Sequence, residues 1–300
     1  MYKKTLFLLL VSFTTLFAQS AGNTGLAFLK YGFGARNIAM GDAGTSLSTD
    51  VTSLFYNPAG LAINPGSEIM VMHNAWIQDI RSEILGARTL LFGIPVAVGF
   101  NVTTIPGIEV RTNPGDPLTT FSANDFFGSF SAAYKIMDNL SIGASYKYLY
   151  EAIYVDESTG WGVDLGATYL TSIKGLNISA AIKNIGKMKA LRSESIKLPT
   201  EIRVGPSYSF SPAEKFDITG AAEFQKYTPD SDSHLNFGAE VLYDKLIALR
   251  VGYQSGYDSK SISAGLGLMW GNLSFDYAYA PFNSDSGLGS GNIVSLQFKF

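Results

Sequence analysis

The strictest constraint on this chain is a two-residue period that recurs from about residue 67 to the end. Leu140, Ile142, Ala144, Tyr146, Tyr148 and Tyr150 alternate with Ser141, Gly143, Ser145, Lys147 and Leu149. Trp161, Val163, Leu165, Ala167 and Tyr169 alternate with Gly162, Asp164, Gly166 and Thr168. Leu273, Phe275, Tyr277 and Tyr279 repeat the pattern near the end. Side chains of a strand point alternately to its two faces, so such a period means β-strands with one apolar face. About fourteen segments qualify: 67–76, 81–92, 94–104, 123–136, 139–151, 159–171, 175–184, 200–210, 215–226, 233–243, 245–254, 260–270, 272–280 and 291–300. Most reach the about 9–11 residues that a tilted spanning strand needs.

The period alone fits a soluble sandwich, whose apolar face points inward, as well as a membrane barrel, whose apolar face points to lipid. Three features favour the barrel. Charged residues make up only 16% of the chain, below the roughly 25% of soluble domains, so part of the surface faces something other than water. Apolar rows end in aromatics, among them Tyr134, Tyr169, Phe210, Tyr243, Tyr253, Trp270 and Tyr279, as interfacial girdles require. Every second connection is tight, at Gly93, Met137-Asp138, residues 172–174, residues 211–214, Asp244 and Gly271. Longer polar connections at 105–122, 185–199, 227–232 and 281–290 fall between them, as on the outer side of a barrel. The polar rows carry small residues and charges of both signs, including Lys147, Asp164, Lys183, Arg203, Glu223, Glu240, Arg250 and Asp276. Opposed charges across a narrow lumen can pair. The last strand ends Val294, Leu296, Phe298, Phe300, and the terminal Phe298 and Phe300 read as a C-terminal barrel signal.

The start of the chain supports export. Lys3-Lys4, an apolar run over 5–17 and Ala18 before Gln19-Ser20 read as a signal peptide over 1–18. The run is shorter than the roughly 20 residues of a spanning helix. No later stretch is long and apolar enough either, so spanning falls to a closed barrel. The expected organisation is a signal peptide at 1–18, a plug over 19–66 and a transmembrane barrel over 67–300, in a bacterial outer membrane with lipid and lipopolysaccharide as surroundings.

The plug differs in texture. It carries Gly34-Ala35-Arg36, Ala39-Met40-Gly41-Asp42-Ala43 and Asn57-Pro58-Ala59-Gly60-Leu61-Ala62, with no clear period. Small residues let backbone pack closely. Asn57-Pro58 marks a turn, and Pro58 lacks the N–H of a central strand. Leu26, Phe28, Leu29, Ile38, Met40, Leu54, Phe55 and Tyr56 need burial, which a disordered tail would not give. The expected plug motif is thus Gly34, Ala35, Arg36, Met40, Gly41, Asn57, Pro58, Ala59 and Gly60.

These two motifs resemble those of the PorV/PorQ family of outer-membrane proteins, which is similar in architecture to the FadL long-chain fatty-acid transporters with their Asn-Pro-Ala hatch. The resemblance covers the mature chain in architecture and residues 30–62 in motif. It implies a fourteen-stranded barrel. It further implies association with type IX secretion, binding or shuttling cargo through its C-terminal domain together with secretion components. The alternative it implies is a FadL-like channel that admits a hydrophobic small molecule through a lateral opening. The inward row holds only a few apolar residues, Leu149, Leu242, Met269 and Ile293, which is too few to separate the two.

Enzyme chemistry finds little footing. No G-x-S-x-G elbow occurs, and Gly287 to Gly291 lie in a loop, so they form no dinucleotide fingerprint. His73 and His234 stand alone, and cysteine is absent, so no cofactor or metal is expected. Asp230-Ser231-Asp232 reads as a solvated loop, with a divalent cation or a lipopolysaccharide bridge as the alternative. No basic patch interleaved with aromatics appears, which argues against nucleic acid as a partner.

Overall fold

A computed structural model describes residues 24–193, 196–228 and 233–300. The signal-peptide expectation at 1–18 and the Asp230-Ser231-Asp232 loop lie outside the described residues.

Fourteen antiparallel strands close into one barrel, each paired with its sequence neighbours and β1 with β14. They are β1 Glu68–Ala75, β2 Arg81–Leu91, β3 Ile94–Val110, β4 Thr119–Met137, β5 Leu140–Ile153, β6 Asp156–Leu170 and β7 Leu176–Met188. They continue with β8 Glu201–Ala213, β9 Phe216–Tyr227, β10 Ser233–Tyr243, β11 Ile247–Ser255, β12 Ile262–Trp270, β13 Leu273–Pro281 and β14 Ser290–Lys299. Closure leaves no strand edge to satisfy, which is what lipid demands.

Burial alternates over most of the wall, most regularly along β1 and β11, and the exposed row is the apolar one. Each strand contributes large exposed hydrophobics, from Ile69 and Val71 on β1 to Leu296 and Phe298 on β14. An unbroken apolar belt of this extent would aggregate in water and is at home in lipid. Aromatics crowd the tight-turn end, with Phe92, Tyr134, Tyr169, Phe216, Tyr243, Trp270 and Phe300 all exposed. The buried row is polar, with serines, asparagines and charges such as Ser82, Asn101, Ser131, Asp164, Arg203 and Asp276.

Several expected boundaries move. The polar stretch 105–122 was expected as a loop, yet most of it prolongs the β3–β4 hairpin. Ile108, Glu109 and Val110 pair with Phe121, Thr120 and Thr119 beyond a register shift at Pro106-Gly107. Polar residues on both strands still ladder once the bulge has absorbed the proline. Residues 211–213, expected as a turn, belong to β8, and the turn itself is Glu214-Lys215.

The wall is interrupted inside its belt between β8 and β9. Val204 pairs with Phe224 and Ser207 with Ala221, but the two positions between them, Gly205 and Pro206, make no pair with β9. Proline has no N–H to donate to the ladder, so it breaks pairing where it stands. Nearby, β7 pairs with β8 only as far as Lys183↔Glu201, and its tail to Met188 pairs with β6 alone. The connection ahead of β8 fills that split. The Asn184 amide donates to Pro199 O (3.1 Å), and Thr200 Oγ1 donates to Asn184 O (2.9 Å).

Candidate functional site: a hatch seated on the barrel wall

Residues 24–66 run through the lumen ahead of β1 and form very short helices: a 3₁₀ turn at Ala27–Lys30, α1 at Ala35–Ala39, α2 at Gly44–Leu47, α3 at Ser53–Tyr56 and a 3₁₀ turn at Pro58–Ala62. None is long enough to be stable alone. Their order comes from the wall. All eight hydrophobic residues expected to need burial, Leu26 through Tyr56, are buried. Phe33 stacks on Phe55 at 4.6 Å, and both pack edge-on against Phe127 of β4 at about 6 Å.

The first motif sits against β10–β14. Gly34 (φ 80°) and Gly41 (φ 69°) take left-handed backbone, which only glycine adopts freely. At Gly41 the space is equally restrictive. A Cβ there would lie 2.4 Å from Phe237 O and 3.0 Å from the Tyr253 backbone. The wall answers with its own glycines. A Cβ on Gly252 would lie 2.0 Å from Gly41 N, one on Gly238 2.4 Å from Met40 O, and one on Gly265 2.5 Å from the Ala39 methyl. Ser263 Oγ bridges the two, accepting from Gly41 N–H and donating to Ala39 O, both at 3.2 Å. Ala35 N–H donates to Ser295 Oγ at 3.2 Å.

The second motif sits across the lumen on β5 and β6. Asn57 caps the 3₁₀ turn, its Oδ1 accepting from Ala59 N–H at 3.1 Å, with Pro58 at the position where a missing N–H costs nothing. Its amide donates to Thr168 Oγ1 (2.9 Å), Ala167 O (3.2 Å) and Thr45 O (3.1 Å). Here too the wall is glycine. A Cβ on Gly166 would lie 1.9 Å from Asn57 Oδ1, and one on Gly143 2.4 Å from Ala59 N and Pro58 C. Gly60 lies so close to Ser48 O that a Cβ would meet it at 2.2 Å.

Charge ties join hatch and wall between these seats. Arg36 grips Glu240 with two hydrogen bonds of 2.8 and 2.9 Å, and Glu240 also accepts from Arg250, which reaches Asp276. Burial opposes the Arg36 charge, but the Glu240 carboxylate outweighs it and holds the guanidinium pKa above its ordinary value. Arg203, fully buried, binds Asp42 through its carboxylate (2.8 Å) and carbonyl (3.0 Å), and binds Glu201 and Glu223 on the wall. Glu223 accepts from Thr45 N–H, and Glu68, paired with Arg88, accepts from Val51 N–H. The two motifs are linked to each other as well: the Tyr56 hydroxyl donates to Asp42 at 2.5 Å. Burial first, then the Asp42 charge, pushes the Tyr56 phenol well above its ordinary pKa, so it stays a donor.

The nine residues of the expected plug motif lie inside the barrel in two groups, the first against β10–β14 and the second against β5 and β6. Phe298 and Phe300 lie apart from them, on the outer face at the β14–β1 seam. Sequence reasoning missed the wall side of the seats. The signal was present as single glycines inside inward rows, at 143, 166, 238, 252 and 265, where a strand gains nothing from glycine unless another backbone approaches. Of the histidines, His73 faces outward against Glu83 (2.6 Å), and His234 is buried against Tyr257. No cluster of His, Asp or Glu suited to a metal occurs among the described residues.

No family model and no curated protein matches the chain. Solved structures do match. The toluene transporter TbuX of Ralstonia pickettii is 15% identical, with a TM-score of 0.64 over 90% of this chain and 98% of that one. The CymD monoaromatic hydrocarbon channel is 15% identical, with a TM-score of 0.65 over 92% and 99%. A Pseudomonas aeruginosa FadL homologue is 12% identical, with a TM-score of 0.54 over 89% and 98%. At such identities the likeness establishes the fold alone: a closed, fourteen-stranded antiparallel barrel.

Proposed function

We propose that this chain is an outer-membrane channel of FadL-like type that admits a hydrophobic small molecule past the hatch formed by residues 24–66. The observation that carries this reading is the nature of the seat. The hatch shares an apolar cluster with the wall, where Phe28, Phe33 and Phe55 pack with Met70, Ile84 and Phe127, but it is also held on both sides by close backbone contact and by exchangeable polar ties. Those polar ties can be remade with water or with an alternative hatch position, which a seat made of apolar contact alone would not allow. The fold of hydrocarbon channels and the ladder break at Gly205-Pro206 point the same way, the latter as a weak place in the wall. Lipid and lipopolysaccharide are then its surroundings, and the signal peptide its route there.

The secretion-associated reading drawn from the PorV/PorQ likeness gains nothing from these neighbours and ranks second. One experiment separates the two. Cells lacking their own FadL-type channels would express the chain, and uptake of radiolabelled toluene and of a long-chain fatty acid would be followed. Uptake above the empty-vector control supports the channel. Control-level uptake of both, with co-purification of surface proteins sharing a C-terminal domain, would replace it with the shuttle.

A further inference from the structure

On the long-loop side of the hatch, aromatic rings gather around one amine. Trp76 follows β1, Phe282 follows β13, and Tyr257 and Lys260 lie in the connection between β11 and β12. Trp76 meets Phe282 edge-on at 5.3 Å and Tyr31 of the hatch at 5.6 Å. Lys260 Nζ lies 4.3 Å from the Tyr257 ring centre and 5.9 Å from that of Trp76. Tyr257 is itself fixed, stacked on His234 at 3.8 Å with its hydroxyl directed to Gln225 Oε1 (3.4 Å). Asn236 and Gln254 stand opposite each other in register on β10 and β11 beside this cluster. Both are buried, and Asn236 Oδ1 and Gln254 Nε2 make no hydrogen bond among the described residues.

Two features need explaining together. Lys260 is half-buried and forms no ion pair among the described residues; desolvation lowers its pKa against the opposing pull of the Asp42 charge. An ammonium drawn partly out of water gains from a carboxylate, and ring faces compensate only in part. Around it stand flat rings, one an indole, held in place by neighbours. The cluster sets one ammonium, without a carboxylate partner among the described residues, amid aromatic rings.

We propose that this cluster is a binding site for a small aromatic carboxylate, its ring against Trp76 and Tyr257 and its carboxylate on Lys260. Gln254 Nε2 is a second donor for the carboxylate oxygens. Tyr31 joins the cluster to the hatch, so the bound molecule touches the element that occludes the lumen. The inference deepens the channel reading by naming the substrate class, but binding is measured without transport.

The test uses the full-length mature barrel in detergent micelles, titrated with benzoate, benzamide and toluene. Trp161 and Trp270 face outward, so Trp161→Phe with Trp270→Phe leaves Trp76 as the reporting fluorophore. Benzoate is expected to quench Trp76 and to bind about ten-fold more tightly than neutral benzamide, the size of one charge-assisted contact. Lys260→Met should remove that difference while leaving toluene affinity unchanged, and Lys260→Arg should retain it. Equal affinity for benzoate and benzamide in the unmodified site overturns the proposal without recourse to any Lys260 variant. So does benzoate binding that Lys260→Met leaves intact. Loss of toluene uptake by cells, with Lys260-dependent benzoate binding preserved, would remove the channel reading alone.

Discussion

Arg203 is the residue on which most hatch contacts converge, because it faces three carboxylates and a carbonyl at once. Truncating one member of a buried ion cluster leaves the others charged and unpaired, at about 3–5 kcal/mol. Arg203→Met should therefore lower stability by about that amount in urea unfolding from micelles. Arg36→Ala should cost about 1 kcal/mol, since Arg36 is partly exposed and Glu240 keeps Arg250. Equal costs for the two would contradict a hierarchy set by burial. Tyr31 adds a pH dependence. Burial first, then the Asp125 charge, pushes its phenol up to about 12 from 10.0. The folded pKa is above the unfolded one, so this contribution is complete below pH 10 and is lost as pH rises towards 12. Phenolate absorbance and hatch release should move together across that window. Release that is complete before phenolate appears would disconnect Tyr31 from the hatch.

At the scale of elements, the hatch and the wall are matched by the absence of side chains. Gly166→Ala adds one methyl group on β6, yet that Cβ falls on Asn57 Oδ1 and must dislodge the cap. The expected result is an intact barrel with a displaced Asn57-Pro58 turn, at about 1–3 kcal/mol, the usual cost of overpacking. Asn57→Ala and Pro58→Ala approach the same turn from the hatch side. All three should raise whole-cell uptake of small antibiotics without reducing the amount of folded barrel. Unchanged uptake in all three would mean that this turn does not control access. The strands themselves were legible in the sequence. All fourteen expected segments coincide with observed strands, because a barrel wall writes its two environments into every second residue. The hatch was legible only in part. Its need for burial showed in Phe28, Leu54 and Tyr56, but helices of four or five residues have no period of their own. The pairing of Asp42 with Arg203 spans 161 positions, and nothing local announces it. The glycine seats were visible as letters but acquire meaning only once the facing backbone is known.

For the whole molecule, closure and occlusion are separate properties. The seam is made by β14 against β1, and its last bond runs from Phe300 N–H to Ser67 O (3.0 Å), with Phe298 and Phe300 packed edge-on outside. Deleting Phe300 removes one bond and one girdle ring, so equilibrium stability should fall by about 1–3 kcal/mol. If Phe298 and Phe300 form the assembly signal, the fraction reaching the membrane should fall much further than that loss alone would cause. On the channel reading proposed above, occlusion rests on the hatch, and the wall keeps charge partners of its own without it. Each wall charge that binds the hatch keeps a partner on the wall: Glu240 has Arg250, Arg203 has Glu201 and Glu223, and Glu68 has Arg88. The inward row is rich in Ser, Asn and Thr, which water can solvate, and the backbone ladder closes without the hatch. Removal of residues 24–66 should therefore leave a folded barrel with heat-modifiable migration and an open, conducting lumen in planar bilayers, where the intact chain conducts little. A deletion that fails to fold would instead make the hatch the core of the barrel, and the polar seats would then be structural ties with no part in opening.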